Sequence, residues 1–321
     1  MVCPSQIVVL LAMNKDLLDK SKLYFLLVFC LLASAAYAQP LRVALTIREE
    51  NDFFTRSDQY FTNGTQFGLL MNRPLIGATR GILPTFSSLQ DMEYGITLTQ
   101  NIYTPQKIEF TEFLEHDRPY AGTLFLSMYK NAVSKNGRLI LRSEFSAGIV
   151  GHQSQANDVQ RLFHVLTSSK PPQGWENQIP TTLLANYQFD LSALVFQRKH
   201  LALLSNGKIN AGTVLDDLAA GATLRFGLLP PPGQLFFQHG KRLTAYLFMG
   251  GEQKFVVYNR LLSTGFEQQD IPIEEWAKSF NYGLEVAGRW FRFSYAVTWL
   301  SREREDLHTH RYGSFMMVFK L

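Results

Sequence analysis

FRFSYAVTW, residues 291–299, alternates without a break: Phe291, Phe293, Tyr295, Val297 and Trp299 fall on one face, Arg292, Ser294, Ala296 and Thr298 on the other. A sustained period of two is the mark of a β-strand with one apolar and one polar face. The stretch before it repeats the pattern, with Phe280, Tyr282, Leu284 and Val286 set against Asn281, Gly283, Glu285 and Ala287. The stretch after it, 310–321, carries Phe315, Met317, Phe319 and Leu321 on one face to the chain end. An apolar terminal strand of this kind resembles the assembly signal of outer-membrane barrels, which implies the barrel assembly machinery as a partner during biogenesis.

The same alternation runs back to Leu41, Val43, Leu45 and Ile47, set against Arg42, Ala44, Thr46 and Arg48. Further segments lie near 60–71, 92–104, 120–131, 138–150, 181–196, 199–214, 217–228 and 243–257. The segment at 199–214 is interrupted by Ser205-Asn206-Gly207, which also reads as a turn. The total is about twelve antiparallel strands, an even number that returns both termini to the periplasmic side of a transmembrane β-barrel.

Composition agrees. Of 321 residues, 13% are aromatic and 18% charged, below the usual quarter for soluble domains. Mean hydropathy is nonetheless close to zero, as expected where a lipid-apolar face alternates with a polar one. A soluble β-sandwich also alternates. Charges on the inward faces (Arg42, Arg48, Arg142, Glu144, Glu285, Arg289, Arg292) suit a polar lumen better than a dry sandwich core. No apolar run of helix-spanning length follows Ala38.

The first 38 residues read as a signal peptide, and 39–321 as the barrel domain. Lys15, Lys20 and Lys22 form a basic n-region, residues 23–35 an apolar core, and Ala36-Tyr37-Ala38 the cleavage site. Met13 is an alternative start to Met1. Cys3 and Cys30 both leave with the signal, so the mature chain is expected to have no disulfide or thiolate chemistry. Its net charge becomes 28 − 25 = +3, with no basic run interleaved with aromatics, so nucleic acid is not an expected partner.

One segment breaks the pattern. SQANDVQRLFHVLT, 154–167, predicts a short extracellular loop helix with Ser154 as N-cap. Val159, Leu162, Phe163 and Leu166 form an apolar stripe expected to lie on the barrel rim or the lipid interface. Asn157, Gln160 and His164 fall on the other face, and Pro171-Pro172 ends the helix.

Three polar segments stand out. Glu50, Asn51, Asp52 and Asp58 cluster hard oxygen donors at a strand end, as Ca²⁺ requires. Gln100–Pro105 precedes Asp117-Arg118-Pro119-Tyr120-Ala121-Gly122. Gln160 and His164 precede Gly174-Trp175 and Gln178. A helix-borne imidazole can serve as general base, and a cation at the carbonyl oxygen completes an ester-hydrolysis site. By residue type alone, an acidic stretch beside Asn also makes an ordinary loop, and a helix histidine also simply packs. No Gly-x-Ser-x-Gly elbow supports a serine nucleophile.

Taken in order, these segments resemble the LpxR-type lipid A 3′-O-deacylases of Gram-negative outer membranes. The resemblance rests on Glu50-Asn51-Asp52 with 57–64 (SDQYFTNG), on QNIYTP at 100–105, on DRPYAG at 117–122, on Gly148 through His164, and on Gly174-Trp175 with Gln178. Its motifs are strong from Leu41 to Tyr187 and weaker to Leu321. It implies a twelve-stranded barrel with its site at the outer-leaflet end, between wall and loop helix. It implies Ca²⁺-dependent removal of the 3′-linked acyloxyacyl chain of lipid A. The family's catalytic histidine matches His164, its Asn-Asp pair matches Asn51 and Asp52, and Gln160 matches the polar residue one turn before the histidine. Asp52 and Glu50 are the expected metal ligands. Arg118 either contacts a lipid phosphate or pairs with Asp117, and Lys107 matches a basic substrate-binding residue by position. His116 before Asp117 and Ser57 before Asp58 depart from the family pattern. The alternatives are a non-enzymatic pore or structural barrel, and an esterase for another lipid.

Overall fold

The computed structural model describes residues 40–52, 60–74, 79–112, 114, 116–166, 168, 170–262 and 272–321. The signal segment and its cleavage site lie outside these residues, as do Ser57 and Asp58. Twelve strands form among the described residues: β1 Val43–Asn51, β2 Tyr60–Met71, β3 Leu89–Thr104, β4 Ala121–Ser134, β5 Leu139–Val150, β6 Thr182–Gln197, β7 Leu201–Gly212, β8 Leu215–Leu228, β9 Thr244–Asn259, β10 Trp276–Ala287, β11 Phe291–Leu300 and β12 His310–Lys320. Each pairs antiparallel with its neighbours in sequence, and β1 closes on β12 with Ala44 opposite Lys320 and Asn51 opposite Gly313. Closure leaves no sheet edge, the condition for a sheet to stand in lipid.

The ends of the barrel differ. Three of the turns on the side of the termini are short (135–138, 198–200, 288–290), whereas long loops at 105–120, 151–181 and 260–275 crown the other end. That asymmetry assigns the terminal side to the periplasm and the long loops to the exterior. Alternation does the rest. Thr46, Arg48, Gln66, Asn101, Tyr103, Arg142, Glu144 and Lys208 line a central cavity of about 650 Å³. Residues of the opposite strand parity, such as Phe67, Leu98, Leu126 and Phe280, stand exposed on the outer face. Trp276 and Trp299 are exposed near the outer rim and Trp290 at the periplasmic one, as in interfacial aromatic belts.

The lumen holds its charges in pairs. Arg142 Nη2 lies 2.6 Å from Glu144 Oε2 and its guanidinium stacks 3.6 Å from the Tyr129 ring. Lys208–Asp190 and Arg292–Glu285 close at 3.7 and 3.6 Å. The doubtful Ser205-Asn206-Gly207 is strand, not turn. Asn206 faces inward, accepts from Ser192 Oγ at 3.1 Å and donates to Thr223 Oγ1 at 2.8 Å, so the polar residues are rungs of the lumen ladder.

One periplasmic connection is not a simple turn. Residues 229–243, LPPPGQLFFQHGKRL, fold back into the barrel mouth. Phe236 is wholly buried and packs with Phe237 on Ala44, Leu70, Tyr129 and Val318. Glu93 Oε1 accepts the Phe237 N–H at 2.5 Å, and Arg42 Nη1 donates to the Phe237 carbonyl at 3.3 Å. Lys320 Nζ lies 5.1 Å from the Phe236 ring centre and the Arg292 guanidinium 5.6 Å, so both rings sit among cations. The segment plugs the periplasmic end of the lumen.

Candidate active site

On β3 and β4 the residues that line the lumen are odd-numbered (Asn101, Tyr103, Thr123, Phe125), so the even-numbered ones point outward. Gln100, Ile102 and Gly122 are therefore on the outer wall near the extracellular rim. Gly122 has no side chain, and its place is taken from outside. A Cβ there would lie 2.2 Å from Ser154 Oγ and 2.3 Å from Ala156 Cβ. Gln100 Nε2 donates to the Ser154 carbonyl at 2.7 Å. The β5–β6 loop is thus clamped against the outer wall.

From that clamp the helix α1, Ala156–Leu166, begins. It starts two residues later than the sequence reading placed it. Gln155, in the left-handed region with φ 57°, occupies the cap position, and Ser154 ends a preceding 3₁₀ turn, His152–Ser154. The helix turns its apolar stripe outward: Val159, Leu162, Phe163 and Leu166 are exposed, while Ala156, Gln160 and His164 are buried. An amphipathic helix with its polar face inward and its apolar face outward suits a lipid surface.

The buried side rests on a small core of Ile102, Ile108, Tyr120, Ala156 and Trp175. Trp175 packs 4.8 Å from the Tyr120 ring, and its indole N–H donates to Gln160 Oε1 at 2.8 Å. Tyr120 in turn donates its hydroxyl to the Ile108 carbonyl at 3.2 Å. His164 Nδ1 contacts the Lys170 carbonyl at 2.5 Å. A carbonyl can only accept, so Nδ1 carries the proton and the basic lone pair resides on Nε2.

Asn51 and Asp52 lie at the extracellular end of β1, both buried. Asn51 faces outward, opposite Asn63 of β2. Around it the outer wall is polar: Thr65 Oγ1 donates to Glu49 Oε2 at 2.7 Å, the Asn63 amide donates to the same carboxylate, and Thr62 and Thr104 hydroxyls meet at 2.7 Å. The helix packs on β3 and β4. One strand, β2, separates β1 from β3, so Asn51 stands about 10 Å along the wall from the β3 strand that supports the helix.

A scan against known families matches the one described as outer membrane protein LpxR over residues 25–321. The chain belongs to this family. Among solved structures, LpxR from Salmonella typhimurium superposes with a TM-score of 0.69 at 18% identity, covering 86% of this chain and 99% of that one. The β domain of the Bordetella autotransporter BrkA gives a TM-score of 0.42 at 11% identity, covering 87% and 98%. The translocator domain of NalP from Neisseria meningitidis gives 0.41 at 9%, covering 94% and 96%. No curated protein matches the sequence. Family and barrel together place the chain in the outer membrane.

Not every residue singled out from this LpxR-family sequence joins the outer site. Glu50 points into the lumen, where its Oε1 lies 3.9 Å from Arg48 Nη1, on the opposite side of the wall from Asn51. Arg118 pairs with Glu303 rather than with Asp117. Its buried guanidinium also covers the Tyr103 ring at 4.5 Å, in the lumen mouth. Burial works against the Glu303 charge, yet Arg118, with His310, outweighs it and holds the carboxyl below its usual range. Asp117 instead ties its own loop, accepting the Gln106 and Arg118 N–H groups at 2.9 and 2.7 Å. Burial pushes that carboxyl above its usual range in spite of those bonds. Lys107 is exposed in the β3–β4 loop, 5.8 Å from the Phe110 ring.

Among the described residues no three His, Asp, Glu or Cys side chains converge. At the extracellular end of β1, the buried Asn51 and Asp52 carry the oxygen donors that a hard cation takes. These fit Ca²⁺ in kind, whereas Glu50 is spent on Arg48. Gln100, Gly122 and Trp175 carried no individual signal in the sequence beyond membership of short motifs, and Glu303 lay in no motif at all. Strand parity would have separated Glu50 from Asn51.

Proposed function

We propose that this LpxR-family barrel is a Ca²⁺-dependent lipid A 3′-O-deacylase that removes the 3′-linked acyloxyacyl chain in the outer leaflet. The observation that carries the reading is the side on which the chemistry lies. Gln160 and His164 face the outer wall, beneath an apolar helix surface, where a lipid and not a diffusing solute is at hand.

His164 supplies the general base. Its Nε2 takes a proton from water as the water oxygen attacks the ester carbonyl. The Lys170 carbonyl holds the ring in the required tautomer and stabilises the imidazolium that forms. The imidazolium then returns the proton to the departing sugar oxygen, so ester and water become acid and alcohol. Trp175 fixes Gln160, and Gln160 sits one helical turn before the base. Asn51 and Asp52 would hold the cation. When bound, it supplies positive charge to the developing oxyanion, the kind of term that is usually largest in such reactions.

A pore is the rival reading, and the Phe236–Phe237 plug weighs against it. The deciding experiment is a mass spectrum of lipid A from outer membranes with and without the protein. Loss of the mass of the 3′ acyloxyacyl group is expected. Unchanged lipid A in cells holding the folded barrel would sink the proposal.

A further inference from the structure

The two ends of the barrel carry opposite charge. The connections on the side of the termini (72–88, 135–138, 198–200, 229–243 and 288–290) hold nine Lys and Arg and not one Asp or Glu. Those of the other end (52–59, 105–120, 151–181, 213–214, 260–275 and 301–309) hold eight Lys and Arg against fifteen Asp and Glu. At the outer end cations meet acidic partners, as in Arg302–Glu274 and Arg304–Asp306. At the periplasmic end Lys135, Arg198, Lys199, Lys241, Arg242 and Arg289 are exposed, and none enters an ion pair among the described residues.

These cations stand beside apolar residues of the lipid-facing wall. Leu139 follows Arg138, Phe196 lies two and three residues before Arg198 and Lys199, Leu243 follows Arg242, and Trp290 follows Arg289; all four apolar residues are exposed. The Arg289 guanidinium lies 5.0 Å from the Trp290 ring centre. An exposed tryptophan at a membrane rim marks headgroup depth. Lysine and arginine lay their stems along apolar surface and keep the charge at that level. The cations therefore lie at the plane of the headgroups.

We propose that the periplasmic rim is a binding surface for anionic phospholipid headgroups of the periplasmic leaflet. A negatively charged phosphodiester complements a belt whose connections hold no acidic residue, and the apolar neighbours take its acyl chains. Such a belt would hold the barrel, and α1 with it, at a fixed height in the membrane. The contact requires no step of the deacylase reading.

The test reconstitutes the purified barrel in vesicles of phosphatidylcholine mixed with phosphatidylglycerol. One lipid or the other carries bromine on its acyl chains and quenches nearby tryptophan. The signal of Trp290 is the difference between each protein and its Trp290→Phe counterpart. At low salt phosphatidylglycerol should be preferred at Trp290 by about fivefold, the scale of one Lys or Arg near a charged membrane surface. The preference should fade as salt shortens the screening length. Trp276 and Trp299, exposed near the outer rim, should show none in Trp290→Phe. Arg198→Gln, Lys199→Gln and Arg289→Gln together should bring the two lipids level at Trp290 while the barrel stays heat-modifiable. Arg198→Lys with Arg289→Lys should keep the preference. Equal quenching by the two lipids at low salt would overturn the proposal, as would a preference that survives the triple variant or high salt. Should the triple variant fail to fold, the salt series on the wild type decides. Co-sedimentation with peptidoglycan sacculi in place of a lipid preference would assign the belt to the cell wall and likewise overturn it.

Discussion

The two faces of the barrel wall use similar polar residues differently. On the lumen side the charges pair, Arg142 with Glu144, Lys208 with Asp190 and Arg118 with Glu303, and Asn206 is bonded to two hydroxyls, while the Thr46 and Thr123 hydroxyls stay open. On the outer side, Gln160 has its oxygen bonded and its nitrogen open, and Asn157 keeps an open oxygen. Polar groups that satisfy one another rigidify a structure. Those left with capacity to spare are where a ligand or a reacting molecule can enter.

The largest expected effect tests the outer face. His164→Ala should lower lipid A acyl release per folded barrel by about 10²–10⁴-fold, the usual scale for a lost acid–base group. His164→Asn should not restore it, since an amide does not take the proton. Heat-modifiability on gels should persist, because a loop helix adds little to strand pairing. Near-wild-type release per folded molecule would end the catalytic reading of this residue.

The cation comes next. Excess chelator should abolish release, and Asp52→Ala should reduce it sharply, whereas Glu50→Ala should act on barrel stability through Arg48. Equal loss of metal response in the Asp52 and Glu50 variants would erase the distinction between the faces. Full activity in chelator would remove the cation altogether.

The plug supplies a test at the lumen's other end. Replacing Phe236 and Phe237 together by Ala removes two buried rings, each worth about 3–5 kcal/mol in a well-packed core. Stepwise conductance in planar bilayers should then appear in a barrel that is otherwise silent. A wild-type protein that conducts as freely as the variant would show that the segment does not seal.

Smallest is the lumen-mouth pair. Glu303→Gln leaves the buried Arg118 guanidinium without its counter-charge and should lower stability by about 2–3 kcal/mol, discounted for the partial exposure of Glu303. The pH dependence follows from the lowered Glu303 carboxyl. Its stabilisation is complete above the unfolded-state value of about 4.3 and is lost as pH falls through the lower folded-state value. Unfolding temperatures of the wild type should therefore fall in that acid window, and those of Glu303→Gln should fall less. Parallel curves would argue against the pairing.

Strand after strand was legible because a period of two is written locally, in whether each residue tolerates lipid or needs a polar lumen. Even the doubtful 199–214 segment follows the rule once Asn206 is seen as an inward rung. The helix, too, was legible in its stripe and in the pairing of Gln160 with His164. Its start was not, because Gln155 takes a left-handed conformation that no propensity announces.

The sequence by itself determined the barrel, the outer-membrane setting and the short polar motifs that mark the family. Tertiary structure decided what those motifs do for one another. Gly122 is bare because a loop helix from the next hairpin but one must lie against it. Glu50 and Asn51, adjacent in the chain, are sent to opposite sides of the wall by the pleat. Phe236 and Phe237 become a plug through contacts with Glu93 and Arg42, 144 and 195 residues distant from Phe237, which no local pattern could announce. Alternation depends on neighbours two residues apart, so a sequence displays it. Clamps, plugs and orphaned amides depend on residues brought together when the sheet closes, so they exist in the folded barrel alone.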